Sequence, residues 1–118
     1  MNNPDATLTA FVIAFALSGL LVVGLAIPMM RRKVKPNWLY GFRTRKTLSD
    51  EGVWYAANAY AGRWLLGTGI AWTLGAIVLR LIPGVGDNLD AYALAFTVVM
   101  LLTVGAMVWA SLRYARGL

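Results

Sequence analysis

The side chains able to make directed polar contacts gather in one stretch, Asn37, Arg43, Thr44, Thr47, Trp54 and Asn58, with the turn-forming Gly41 among them. Arginine presents its N–H donors in a rigid planar fork that matches a carboxylate or a phosphate. Threonine hydroxyls and asparagine amides both donate and accept, and the indole N–H donates. Such a cluster can clamp backbone carbonyls or hold an anion. It has no means of covalent or acid–base chemistry. The chain contains no His and no Cys, and only 5 acidic residues. The commonest general base and the thiolate nucleophile are therefore absent. Asp50 and Glu51 are adjacent carboxylates, but no third ligand or partner base accompanies them. They suit the positive end of a helix dipole better than a metal or acid/base site. The residues point to a binding protein without cofactor or metal, and not to an enzyme.

The elements that position this cluster are apolar. Of the 118 residues 59% are hydrophobic and 14% charged, against about half and about a quarter in soluble domains. The expected class is an all-α integral membrane protein forming a single domain over 1–118. Ala6 to Met30 carries no charged side chain. A bilayer core of ~30 Å needs ~20 such helical residues, so a first span is placed at about 7–30. The preceding residues lack a positive charge, and Arg31-Arg32-Lys33 follows as a stop-transfer block. This segment therefore reads as a span, not as a cleaved signal peptide. A second span is placed at about 63–82, its flanking Arg63 and Arg80 lifting their guanidinium groups to the interface. Pro83 to Asn88 reads as a tight turn, with Asp87 or Asn88 as N-cap of a third span at about 89–112. The remaining stretch, 31–62, is a loop followed by the start of a helix.

Basic residues set the orientation. Arg31, Arg32, Lys33, Lys35, Arg43, Arg45, Lys46 and Arg63 lie between the first two spans, and Arg113 and Arg116 follow the third. Arg80 is the single one near the opposite face. The expected topology puts the loop and the C-terminus in the bacterial cytoplasm and the N-terminus outside. The basic start of the loop then meets anionic lipid head groups, each charge contributing ~1 kcal/mol. Nucleic acid is not the expected partner, since the loop hugs the membrane and carries no recognisable binding module.

Within the loop, Trp38, Tyr40 and Phe42 alternate, as in a short extended piece with one apolar face. Thr47-Leu48-Ser49-Asp50 has capping-box spacing, with Thr47 as N-cap. An apolar stripe runs on through Val53, Trp54, Ala57, Ala61 and Trp64. A helix from Leu48 either continues into the second span or bends at Gly62. Gly67, Ala71 and Gly75 recur at every fourth position of that span, as do Ala10, Ala14 and Ser18 in the first. Small residues on one face let helices approach closely in lipid. These rows are read as the packing faces of a three-helix bundle and, in second place, as a contact between two copies of the chain. Arg45 and Lys46 are expected to be solvated and replaceable.

Asn37, the run Tyr40-Gly41-Phe42-Arg43-Thr44, the run Thr47-Leu48-Ser49, and then Trp54, Asn58 and Gly62 together resemble the SdpI family of small bacterial membrane proteins. The resemblance covers roughly residues 30 to 65. It implies the same helical architecture. It also implies a relation to an immunity protein that protects a toxin-producing bacterium and signals by holding a repressor at the membrane. Longer members of the family carry extra transmembrane helices before this unit. The implied partner is a membrane-active peptide toxin or a membrane protein. A small accessory subunit of a larger complex is the alternative. An oligomeric transporter ranks below both, because no ionisable residue lies deep in a span.

Overall fold

The computed structural model describes residues 3–118. It is all-α, with α1 (Pro4–Met30), α2 (Arg45–Ser49), α3 (Glu51–Leu81) and α4 (Leu89–Arg116). The helices α1, α3 and α4 are each long and apolar enough to cross a membrane. The question of a bend at Gly62 is answered by α3, which runs unbroken for 31 residues. At 1.5 Å per residue that is about 46 Å, longer than the ~30 Å hydrocarbon core. The first turns of α3 carry the loop.

The start of this region differs from the expected capping. Thr44 caps the short α2, with Thr47 N donating to Thr44 Oγ1 (3.1 Å) and Thr44 N donating to Thr47 Oγ1 (2.8 Å). Thr47 is thus the third residue of α2 and not an N-cap. Its hydroxyl is drawn inward to the Phe42 carbonyl, 3.1 Å away, and the residue is fully buried. Asp50, with extended backbone, breaks the helix and caps α3 by accepting from Val53 N at 3.1 Å.

The helix α3 lies between the other two spans. Against α1 the backbones nearly touch. A Cβ placed on Gly69 would sit 2.7 Å from the Gly19 carbonyl oxygen, and one on Gly62 would sit 2.9 Å from Met30 N. Thr73 Oγ1 donates to the Ala16 carbonyl across this seam at 3.0 Å. The expected faces are therefore displaced. Gly67 has open space around it, and a Cβ on Gly75 would meet only Val99 of α4, at 3.9 Å. Ala71 is half-buried, Ala10 and Ala14 are exposed, and Ser18 donates to its own helix at Ala14 O. The seam uses Gly62, Gly69 and Thr73 of α3: Gly69 and Thr73 close on Gly19 of α1, and Gly62 closes on Met29 and Met30.

Against α4 the contacts are aromatic and hydrogen-bonded. Tyr92 OH donates to Ala76 O at 2.8 Å, and Trp72 Nε1 donates to Thr103 Oγ1 at 2.9 Å. Phe15 of α1 stacks on Phe96 of α4 with ring centres 4.1 Å apart. The turn after α3 is tied by Arg80, whose Nη1 donates to Gly86 O at 2.8 Å. Asn88 caps α4 by accepting from Ala91 N at 3.0 Å.

Candidate functional site

The loop leaves α1 through Arg32, a left-handed residue at φ 57°, with Lys33 N donating back to Pro28 O at 2.9 Å. It then folds onto the first turns of α3. Trp54, fully buried, holds the entry by donating from Nε1 to Val34 O at 2.8 Å. Asn37 makes the next bend. Its Oδ1 accepts from Leu39 N (2.9 Å) and Tyr40 N (2.7 Å), and its Nδ2 donates to Lys35 O (2.7 Å). A side chain that mimics a turn in this way competes with extended backbone. Trp38, Tyr40 and Phe42 accordingly do not line one face of an extended piece. Trp38 and Leu39 project outward, 79% and 80% exposed, while Tyr40 and Phe42 turn inward. The Tyr40 hydroxyl donates to Leu25 O of α1. Burial pushes that phenol above its ordinary value, which keeps it a donor.

Phe42 is the hub, through its peptide groups. Asn58 lies seven residues into α3, at 1% exposure. Its Oδ1 accepts from Phe42 N at 2.6 Å, and its Nδ2 donates to Phe42 O (3.2 Å) and Trp54 O (3.0 Å). Thr47 Oγ1 is the second donor to Phe42 O. Gly41 is demanded twice over. Its φ is +121°, and a Cβ there would lie 2.8 Å from Asn58 Oδ1 and 3.0 Å from the Trp54 ring. Left-handed backbone of this kind is open to glycine at little steric cost.

Arg43 completes the clamp from outside. Its Nε donates to Asn37 O at 2.8 Å. The side chain is exposed, and its Nη groups make no hydrogen bond among the described residues. All seven residues singled out in the sequence are therefore joined in one network around residues 34–47. Tyr40 and Phe42 belong to it as well. No side-chain pattern marks Phe42, since its part is played by backbone N–H and C=O. Lys46 departs from expectation: its Nζ donates to Arg116 O at 3.1 Å and ties α2 to the end of α4. Arg45 stays exposed, as expected of a solvated residue.

Chemically the arrangement satisfies backbone groups and offers a charged fork to the outside. No group of His, Cys, Asp or Glu able to hold a metal occurs among the described residues. Comparison with characterised proteins and with solved structures gives no match. The profile of the SdpI/YfhL protein family matches residues 33–112, which takes in the clamped loop, α3 and most of α4. That stretch is more than half of the sequence and contains the whole network around Phe42, so the chain belongs to the SdpI/YfhL protein family.

Proposed function

We propose that this multi-pass bacterial membrane protein is a non-enzymatic, immunity-type protein that engages a membrane-active peptide toxin or a membrane partner through the clamped loop. One observation carries this reading. Asn37, Thr44, Thr47 and Asn58 are spent on the backbone of the loop, whereas Arg43, fixed through Nε to Asn37 O, keeps its Nη groups on an exposed side chain. A fork held by one bond and open at the other end suits a carboxylate or phosphate of a partner at the membrane surface. The neighbouring exposed Trp38 and Leu39 add apolar contact at head-group level.

The test is toxin challenge of cells carrying the protein or its variants, with membrane abundance measured alongside. Arg43→Lys keeps the charge and loses the fork, so it is expected to fail nearly as badly as Arg43→Ala. The loss should be tenfold or more, since a hydrogen bond to a charged group contributes ~1.5–3 kcal/mol. Arg45→Ala should protect like the wild type. Full protection by Arg43→Lys together with a defect in Arg45→Ala would leave only diffuse electrostatics. A stoichiometric protein retained through gentle-detergent purification, without any protection phenotype, would favour an accessory subunit.

The reading also requires the loop to face the cytoplasm, as the distribution of basic residues supports. Single cysteines at Asn3, Lys46, Asn88 and Gly117 should react with an impermeant reagent in intact cells only at Asn3 and Asn88. External labelling at Lys46 would overturn the topology.

A further inference from the structure

The row of small residues on α3 that does not pack against α1 borders an open groove. It runs between α3 and α4, has a volume of about 730 Å³, and is lined by Trp64, Gly67, Thr68, Leu102, Thr103 and Ala106. Gly67 forms part of its floor, with nothing within 4 Å of a Cβ placed there. The hydrogen bond from Trp72 to Thr103 draws the two helices together at its inner end. Toward the loop-bearing end of α3 the groove reaches Arg63, and a neighbouring hollow of about 430 Å³ that shares Trp64 with it reaches Arg113. Tyr60 and Tyr114 stack at 4.1 Å and line both hollows.

The two arginines are held in the same manner. The Arg63 guanidinium lies 5.9 Å from the Tyr60 ring centre, and that of Arg113 lies 5.3 Å from the Trp109 ring centre. A guanidinium at cation–π distance from a ring has N–H donors left for an oxyanion. No carboxylate lines either hollow. A strongly apolar channel thus ends in a basic, aromatic rim at the depth where head groups lie.

We propose that this groove binds one anionic phospholipid, with an acyl chain along Gly67 and Thr68 and the phosphate on Arg63 and Arg113. The charge complementarity selects the head group. The size fits a small ligand, for which sites of ~300–1,000 Å³ are usual, better than it fits a helix of ~10 Å diameter. This site is separate from the loop network and does not depend on the immunity reading.

The experiment uses the whole purified protein in an uncharged detergent. Thermal unfolding and lipid retention in native mass spectrometry are measured with added phosphatidylglycerol or phosphatidylcholine of identical chains. Phosphatidylglycerol should raise the melting temperature and be retained more strongly. The combined Arg63→Gln and Arg113→Gln variant should lose that preference, with retention falling about tenfold per arginine. Gly67→Leu starts from open space at its Cβ, projects into the groove and should lower retention of both lipids. Arg45→Gln removes a charge at an exposed residue outside the groove and should behave as wild type. Equal retention of the two lipids, or a loss in Arg45→Gln equal to that in Arg63→Gln alone, would overturn the proposal. So would an efficient Gly67→Cys cross-link between two chains that phosphatidylglycerol does not displace, since a helix would then occupy the groove.

Discussion

Asn58→Leu is expected to release the loop from α3 and to destabilise the protein by about 3 kcal/mol. The leucine keeps the volume of the buried side chain but has neither donor nor acceptor. Phe42 N loses its acceptor at 2.6 Å, and Phe42 O loses one of its two donors. A buried polar group left unsatisfied costs ~1–3 kcal/mol, and Phe42 N–H has no second partner within this network. The Trp54 carbonyl matters less, because it lies inside α3 and retains its helical bond. Gly41→Ala attacks the same contact from the other side, through its positive φ and a methyl 2.8 Å from Asn58 Oδ1. Both variants should expose Lys33, Arg43 and Arg45 to limited trypsin digestion in detergent and lower the melting temperature. Thr97→Ala, at an exposed site in α4, serves as control. Wild-type protease resistance in Asn58→Leu would show that the loop is held by something other than this amide.

Gly69→Leu should be strongly destabilising, while Gly67→Leu, two residues away, should leave stability within about 0.5 kcal/mol. At Gly69 the first added carbon already lies 2.7 Å from Gly19 O and 2.8 Å from Val23 N. These are backbone atoms of a neighbouring helix and cannot step aside as a side-chain end can. The two helices must separate, and with them goes the hydrogen bond from Thr73 to Ala16. Overpacking commonly costs ~1–3 kcal/mol, and a backbone-to-backbone seam in lipid falls at or above that range because close approach is what drives association there. Thermal unfolding in detergent of the two variants side by side decides the matter. Equal melting of both would mean that α1 does not pack on α3 through Gly69.

The sequence disclosed three apolar helices long enough to cross a membrane, a cap at Asp87 or Asn88 that the structure gives to Asn88, and the stretch holding the polar network. Each depends on something read along one dimension. An uncharged run is either long enough for the hydrocarbon or it is not, and an asparagine before a helical pattern caps it through its near neighbours. The face of α3 that meets α1 was of another kind. Gly67, Ala71 and Gly75 form one row of small residues, and Gly62, Gly69 and Thr73 provide a second on the same helix. Spacing admits both, and the choice follows from where Gly19 falls on α1 once the two helices lie together. Thr47 poses the same difficulty locally. It has capping spacing both to Thr44 and to Asp50, and the inward pull of the Phe42 carbonyl favours the first. That carbonyl and its amide are invisible to residue type altogether. A peptide group has the same chemistry at every position, so its role as hub arises only when Asn58, sixteen residues later, is folded against it.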